Sequence, residues 1–191
     1  MSSTDTILLQ AALEIQRFFE SHHWQFTLIG GLATMRWGGL RTTIDVDGTL
    51  LTMFDNEEHY IDMLLACFQS RVAGAKEFAS TYRVLLLTAS NGVAIDISLG
   101  GLPFEQQMIE RSSLFAFEKD YVLRTCSAED LIVLKAFAAR DKDWADVESI
   151  LQRQKGNLDI DYICENLQPL CEWKDAPEIM TKFHLLLHQT R

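Results

Sequence analysis

Hydrophobic and polar positions follow different patterns in the two halves of this chain. In the first half, short alternating runs with the spacing of β-strands lie between stretches in which apolar residues recur every three or four positions, as in helices. The helical spacing then continues to the end of the chain. We therefore predict an α/β (α+β) fold class, with an α/β core over residues 1–125 and a helical C-terminal part over residues 126–191 packed on that core.

The individual elements follow from the same spacing and from the residues at their ends. The predicted strands are residues 25–29, 42–52, 82–88, 92–99 and about 120–125. The predicted helices are residues 5–21, 32–37, 55–72, about 103–112, 127–140, 144–154, 159–167 and 177–188. The motif Ala89-Ser90-Asn91-Gly92 predicts a hairpin turn, because Asn-Gly tolerates positive φ. Ser127 starts a capping-box spacing, which marks the beginning of the first C-terminal helix.

Length and composition narrow the class of protein. A chain of 191 residues, 48% of them hydrophobic and 23% charged, can form a substantial core and is typical of a globular protein. Apolar runs fall short of the roughly 20 residues of a membrane span, and the N-terminus lacks the pattern of a signal peptide. The four cysteines form no CxxC pair, which favours reduced thiols. We therefore predict a cytoplasmic protein with no membrane partner.

The net charge limits the kinds of partner. A formal charge of −10 argues against a general nucleic-acid binder, because neutralising phosphates requires clustered Lys and Arg. Much of the acidity lies in the helical half, where it predicts a solvated surface. A local basic groove remains compatible with this balance.

Three aspartates are the strongest candidates for chemistry. Asp45 and Asp47 occupy alternate positions of one predicted strand, so both side chains project from one face. Asp96 lies between two isoleucines of another strand, where a carboxylate needs a partner. If the strands are neighbours, the three charges raise one another's pKa values unless cations compensate them. Mg²⁺ prefers such oxygen ligands, and two ions about 3.5–4 Å apart can orient a triphosphate and stabilise leaving pyrophosphate.

A glycine pair precedes these carboxylates at the end of the first predicted strand. Gly30 and Gly31 lack Cβ atoms and so let phosphate oxygens approach the backbone N–H groups at a helix N-terminus. Alone, such a pair is usually a simple turn, and an Asp-x-Asp is usually a solvated strand or turn. Their order along the chain favours a site for a nucleoside triphosphate, with a two-ion Mg²⁺ site at Asp45, Asp47 and Asp96.

In these segments the chain resembles the DNA polymerase β-like nucleotidyltransferase superfamily. The signature of that superfamily is a hydrophobic residue, Gly-Gly or Gly-Ser, a spacer, Asp-x-Asp or Asp-x-Glu, and a later acidic residue on a strand. Residues 28–31, residues 45–47 and Asp96 follow in that order. More narrowly, the chain resembles the AbiEii/AbiGii toxin-type nucleotidyltransferases in residues 30–33, 41–47, 127–135 and 138–147. The resemblance covers about residues 26–150 and implies a nucleotidyltransferase-type mixed β-sheet flanked by helices.

The resemblance also implies roles for single residues. In such families the first two aspartates bind metal and the third completes the site or acts as a base, which implies these roles for Asp45, Asp47 and Asp96. A helical lysine contacts the triphosphate, a role that suits the compact ammonium of Lys135. Asp146 is a further catalytic candidate, with a helix-surface carboxylate as an equal alternative.

Three other positions bear on the same site. Arg41 is a candidate for contacting nucleotide phosphates and Arg140 is a second, although pairing with surface acids is the favoured alternative for both. Position 48 departs from the family pattern, which usually has a hydrophobic residue there. Gly48 weakens the strand and is compatible with a bulge just past the site.

These features together predict a Mg²⁺-dependent nucleotidyltransferase. It would move a nucleoside monophosphate from a nucleoside triphosphate to a hydroxyl acceptor, which is an RNA 3′ end, a protein or a small molecule. The family resemblance implies a toxin-like role, with RNA or protein as acceptor and an antitoxin protein as partner.

Two alternatives stay open at this point. The run from Asp45 to Thr49 resembles the first motif of haloacid-dehalogenase-type phosphatases, with Asp45 as nucleophile, Asp47 as acid/base, and Thr88 and Lys135 in later motifs. That nucleophile should end a continuous apolar strand, whereas polar residues precede it here. The other alternative is a nucleotide-binding scaffold whose catalysis has lapsed.

Overall fold

The computed structural model of the protein describes residues 3–39 and 42–190. By its internal contacts the chain divides into two compact units, Met1–Leu32 with Thr42–Cys126 and Ala33–Arg41 with Ser127–Arg191. The first unit contains the β-sheet, and the second is helical. The helical unit therefore includes Ala33–Arg41, a segment that the hydrophobic pattern had assigned to the N-terminal core.

Within the described residues the first unit contains a seven-stranded mixed sheet. Its strands are β1 (Phe26–Leu28), β2 (Asp45–Leu51), β3 (Gln69–Ser70), β4 (Val84–Thr88), β5 (Ala94–Gly100), β6 (Ser113–Glu118) and β7 (Tyr121–Thr125). The order across the sheet is β3-β4-β5-β2-β1-β7-β6. β2 runs parallel to β5 and antiparallel to β1, while β1 is parallel to β7. The predicted hairpin is confirmed, because β4 and β5 pair antiparallel around a turn in which Gly92 has a φ of 87°.

Nine helices accompany the sheet in the part of the chain that the structure describes. They are α1 (Ser3–Ser21), α2 (Gly30–Trp37), α3 (Glu57–Cys67), α4 (Ala75–Tyr82), α5 (Pro103–Glu110), α6 (Ala128–Ala138), α7 (Asp141–Arg153), α8 (Ile160–Lys174) and α9 (Glu178–Thr190). α6 begins as predicted, because the Ser127 hydroxyl accepts a hydrogen bond from the Asp130 amide at 3.1 Å. α8 runs well past its predicted end, since it continues through Pro169.

Each unit has its own hydrophobic core. In the first unit, Leu85, Leu87, Ile95 and Ile97 form one fully buried face of β4 and β5, as their alternation predicted. In the helical unit the buried residues include Leu131, Ile132, Val147, Ile150, Ile163, Leu167 and Phe183. None of the helices among the described residues has both the length and the apolar character that crossing a bilayer demands.

A buried glutamine fixes α1 against the sheet. Gln16 is only 3% exposed, and both ends of its side-chain amide are hydrogen-bonded to strand β7. Its Nε2 donates to the carbonyl of Val122 at 3.2 Å, and its Oε1 accepts from the amide of Arg124 at 2.8 Å. Because both the donor and the acceptor of this buried side chain are satisfied, it holds α1 in place at little desolvation cost.

Three elements were absent from the predicted set: β3, α4 and β6. α3 ends before its predicted end, because Phe68 takes an extended conformation with φ −121° and ψ 142° and leads into β3. α4 follows Gly74, which has a φ of 62° and provides no side-chain cap. β6 lies at the edge of the sheet, where Leu114 and Phe115 are 53% and 38% exposed. Its two faces are both exposed, so its sequence does not alternate.

Strand β2 differs from its prediction in two ways. It begins at Asp45 and not at residue 42, so its predicted start is wrong, and Ile44 just before it is 75% exposed. Gly48 pairs in register with Ile97 of β5, so the bulge that glycine suggested is also wrong. A Cβ at position 48 would lie 3.2 Å from Ile97 Cδ1. The side chain of Ile97 therefore occupies the space that a larger residue would need.

Candidate active site

The three candidate aspartates lie together on one face of the sheet. The parallel register of β2 and β5 pairs Asp47 with Asp96 and Asp45 with Ala94. Paired residues of adjacent strands project to the same side, so all three carboxylates share a face. The opposite face is buried and apolar, with Val46 fully inaccessible to solvent. The juxtaposition that the alternation predicted is therefore present within the first unit.

The glycine pair leaves room for Asp47 and for Thr43, the residue that hydrogen-bonds to Asp45. Gly30 begins α2 with a φ of 58°, and a Cβ on it would lie 1.9 Å from Asp47 Oδ2. A Cβ on Gly31 would lie 2.3 Å from Thr43 Oγ1, and that same hydroxyl donates a hydrogen bond to Asp45 Oδ1 at 2.9 Å. Gly30 thus faces Asp47 directly, whereas Gly31 faces the threonine that hydrogen-bonds to Asp45.

The start of α2 is consequently held beside the aspartates. The amide of Ile29 donates to the carbonyl of Asp47 at 2.9 Å, which ties the end of β1 to β2 just before the helix begins. A helix N-terminus carries partial positive charge and exposed N–H groups, so it favours anionic groups nearby. Thr43 was not among the sequence candidates, because a threonine in a polar run carries no distinctive signal.

Asp96 has a cationic partner that the sequence did not indicate. The guanidinium of Arg71, through Nη2, forms an ion pair with Asp96 Oδ1, and each side chain is 33% exposed. Arg71 follows β3 directly, and its amide donates to the carbonyl of Leu86 at 3.0 Å. Its Nε donates to the carbonyl of Leu87, also at 3.0 Å. Because β3 itself was not predicted, the sequence offered no reason to place Arg71 near Asp96.

Burial and two neighbouring charges shift the pKa of Asp96. Burial is the largest influence and raises the pKa of Asp96, and the nearby Asp45 carboxylate raises it further. The charge and hydrogen bond of Arg71 lower the pKa, but the net result lies above the usual aspartate value. The protonated form of Asp96 is therefore favoured relative to an isolated aspartate.

The donor chemistry at this face suits a hard divalent cation. Within residues 3–39 and 42–190, no three His, Cys, Asp or Glu side chains stand close enough together to hold a metal ion. Asp45, Asp47 and Asp96 nevertheless offer only oxygen donors, on adjacent strands, and oxygen is the donor type that Mg²⁺ prefers. A Mg²⁺ site at these three residues stays a prediction.

Three other candidates, Lys135, Arg140 and Asp146, form a cluster within the helical unit. Lys135, only 6% exposed, places its Nζ 2.8 Å from Asp146 Oδ2 and 3.3 Å from Asp143 Oδ1. Arg140 contacts the same Asp143, with its Nε 2.5 Å from Oδ2. Asp146 is 8% exposed, so its interpretation as a helix-surface carboxylate is wrong. Asp143, which is fully buried, is the member of this cluster that the sequence did not single out.

Arg41 lies outside the residues that the structure describes. Lys135 has a structural role in its ion pairs with Asp143 and Asp146, and its contact with a triphosphate stays a prediction.

The sheet topology argues against the phosphatase alternative. The nucleophile of that class should lie at the end of a buried parallel strand, but Asp45 is the first residue of β2. The β4–β5 hairpin is antiparallel, as are the pairs β1–β2 and β6–β7. Among the described strands only β2–β5 and β1–β7 are parallel pairs, so the series of neighbouring parallel strands that the phosphatase fold requires is not present there.

Comparison with known proteins agrees with this geometry. The model of a family described as nucleotidyl transferase of unknown function (DUF2204) matches residues 8–184. No curated protein matches the chain. One similar solved structure is the antigenic nucleotidyltransferase-like protein from Paracoccidioides brasiliensis, at 13% identity and a TM-score of 0.54, with 95% of this chain and 94% of that chain covered.

Two further solved structures share the fold. The antibiotic-resistance factor ANT(2'')-Ia is 14% identical with a TM-score of 0.55, covering 94% of this chain and 97% of its own. The lincomycin-bound lincosamide antibiotic adenylyltransferase LnuA is 15% identical with a TM-score of 0.50, covering 74% and 94%. The predicted α/β (α+β) fold class and the resemblance to the nucleotidyltransferase superfamily are thereby confirmed. The narrower AbiEii/AbiGii kinship stays a prediction.

Replacing Gly30 by alanine tests the contact between α2 and Asp47. Gly30→Ala should lower the free energy of unfolding by about 1–2 kcal/mol for its left-handed backbone, and by more because its Cβ collides with Asp47. Gly74→Ala is the matched control, since its φ of 62° is similar and its Cβ would meet only the Glu77 carboxylate at 3.4 Å. Urea denaturation of both variants measures the difference. Equal losses would show that Asp47 does not press against position 30.

The cluster around Lys135 should make stability depend on pH. Burial raises the pKa of Asp143, but the contacts with Arg140 and Lys135 outweigh it, so the pKa lies below its usual value. The stabilisation is therefore present at neutral pH and is lost as the pH falls below about 4. Asp143→Asn should lower the free energy of unfolding by about 1–3 kcal/mol at pH 7, with a smaller difference in acid.

The exposed Asp141 of the same helix provides the control for this measurement. Asp141→Asn should change the free energy of unfolding little at any pH, because its carboxylate is solvated. A difference between wild type and Asp143→Asn that stays constant from pH 7 down to acid would contradict the assignment.

Proposed function

The chain belongs to the family of nucleotidyl transferases whose model matches residues 8–184, and on this premise we propose that it transfers a nucleoside monophosphate from a nucleoside triphosphate to a hydroxyl acceptor. The observation that carries the proposal is the placement of Asp45, Asp47 and Asp96 on one face of β2 and β5, beside the N-terminus of α2. Carboxylates next to a helix N-terminus suit a substrate that brings phosphates and cations together.

The residues of this face divide the work of the reaction. The first N–H groups of α2 bind phosphate oxygens, and the absence of side chains at Gly30 and Gly31 allows that approach. Thr43 orients the Asp45 carboxylate through its hydrogen bond. Mg²⁺ held by Asp45, Asp47 and Asp96 would supply the positive charge that offsets the triphosphate and the leaving pyrophosphate.

Asp96 is the proposed base for the acceptor. The acceptor oxygen forms a bond to the α-phosphorus while the bond from that phosphorus to the pyrophosphate oxygen breaks. The hydroxyl proton passes to the Asp96 carboxylate, and pyrophosphate leaves with the electron pair of the broken bond.

The net charge of the protein and the similar solved structures both bear on the class of acceptor. A net charge of −10 disfavours a polyanionic acceptor such as RNA. One structural neighbour is a lincosamide antibiotic adenylyltransferase with lincomycin bound, and another is an antibiotic-resistance factor. We therefore place small hydroxyl compounds first among the acceptors, ahead of protein side chains and RNA 3′ ends.

Label transfer from nucleoside triphosphates tests the reaction. Each α-labelled triphosphate is incubated with Mg²⁺ and with small-molecule, protein or RNA fractions, and the acid-stable label is counted. Asp47→Asn should lower transfer by at least about 100-fold, because a group that holds the phosphates' counter-charge is lost. Asp120→Asn, an exposed carboxylate in the β6–β7 turn, should retain wild-type transfer. Equal transfer by both variants would contradict the site.

A binding measurement separates an active site from a lapsed scaffold. Triphosphate with Mg²⁺ at 100 times its Kd should stabilise the wild type by about 2.7 kcal/mol, measured as a rise in Tm. Binding without label transfer to any fraction would favour the scaffold. A Tm unchanged by all four triphosphates would reject a nucleotide site altogether.

The toxin-like role is a separate part of the proposal, supported by the resemblance in residues 127–147 and 41–47. An antitoxin partner and a cytoplasmic location belong to the same prediction. Induced expression in a bacterial host should arrest growth, and Asp47→Asn should abolish the arrest because it removes the transfer activity. Normal growth with well-expressed wild-type protein would contradict the role.

A further inference from the structure

Arg71 forms an ion pair with Asp96, and the reaction described above gives this arginine no task. We propose that Arg71 is a built-in counter-ion that competes with the divalent cation for Asp96. The inference rests on the proposed function only in taking Asp96 as part of a cation site. It adds that this site has a resting form in which a protein side chain supplies the positive charge.

The position of Arg71 is fixed by the sheet. Ser70, the residue before it, pairs with Leu87 of β4, and Leu86 of β4 pairs with Asp96 of β5. Arg71 therefore lies one strand away from Asp96, and its side chain reaches across β4 on the face that carries the carboxylates. The spacing of the strands sets the separation between the backbones of Arg71 and Asp96, so the ion pair has little freedom to vary.

Two hydrogen bonds direct the guanidinium toward Asp96. The amide of Arg71 donates to Leu86 O and its Nε donates to Leu87 O, both at 3.0 Å. With Nε engaged by the sheet, the Nη2 group points at the Asp96 carboxylate. A planar guanidinium held at one edge in this way loses less freedom on pairing than a solvated side chain does.

The part of the first unit that the structure describes also contains a surface ion pair that is not held by backbone hydrogen bonds. Lys76 and Asp62 also form an ion pair, but each side chain is 48% exposed, and they lie on helices α4 and α3. No hydrogen bond from Lys76 to the backbone is present among the described residues. This pair contributes little, and it provides a control charge in the same unit.

Competition follows from the charges at the face. Burial and the Asp45 carboxylate both disfavour a negative charge on Asp96. The guanidinium of Arg71 offsets part of this effect. A divalent cation that binds Asp96 has to displace Arg71 or accept a positive neighbour, and either raises its dissociation constant. Removing the guanidinium should therefore tighten metal binding. A purely structural arginine would have the opposite effect, because its loss would loosen the carboxylates.

Titration with Mn²⁺ alone, without nucleotide, tests the sign of this effect. The free ion is followed by electron paramagnetic resonance, so the readout is independent of enzymatic activity. Arg71→Ala should bind Mn²⁺ about tenfold more tightly than the wild type, the order expected for removing one unit charge several ångströms away. Arg71→Lys should stay close to the wild type, and Lys76→Ala should leave the affinity unchanged. In a protein that already carries Asp96→Asn, adding Arg71→Ala should tighten Mn²⁺ binding by much less than tenfold, because the competition for the Asp96 carboxylate is gone.

Other outcomes overturn the proposal. An Arg71→Ala affinity equal to or weaker than that of the wild type would show that Arg71 does not compete, as would the absence of saturable Mn²⁺ binding in both proteins. Arg71→Gln, which keeps a polar side chain for the β4 carbonyls, replaces Arg71→Ala if circular dichroism shows that the alanine variant is unfolded. Label transfer is scored separately, so tighter Mn²⁺ binding in a protein that transfers no label would sustain the counter-ion and reject the transferase.

Discussion

Like charges gathered on one face of two adjacent strands impose the main constraint on the first unit. The structure stabilises Asp45, Asp47 and Asp96 through a different neighbouring group in each case. Asp45 accepts the Thr43 hydroxyl, Asp47 lies against a helix start that has no Cβ, and Asp96 pairs with an arginine from a neighbouring connection. The fold around the site is largely the set of elements that supply these three partners, and the reaction we propose depends on the negative face they maintain.

The sequence was a good guide wherever periodicity carried the information. Alternation around Asp96 and Asp47 predicted their common face, and the Asn-Gly turn predicted the β4–β5 hairpin. Strand β3 was not predictable in the same way, since two residues show no period, and Arg71 was missed along with it. Strand β6 failed for another reason: an edge strand exposed on both faces has no apolar side to reveal it.

The helical unit handles charge by burial and pairing. Lys135, Asp143 and Asp146 lie almost wholly out of solvent, and such a cluster persists because breaking it would leave an unpaired interior charge. The sequence singled out Lys135 and Asp146 as chemically important from the family resemblance, but spacing alone did not reveal that they contact each other. Asp143 was overlooked because an aspartate near a helix start is usually solvated.

The parallel pairing of β2 with β5 also bears on the order in which the face is assembled. The β3–β4–β5 meander brings Arg71 to Asp96 across 25 residues, whereas Asp47 is about twice as far from Asp96 along the chain. Closing the longer loop costs about 0.6 kcal/mol more in chain entropy, and it also brings like charges together. A folding chain can thus bring Arg71 to Asp96 before Asp45 and Asp47 arrive. The charge of Asp96 is then already partly neutralised when the other two carboxylates approach it.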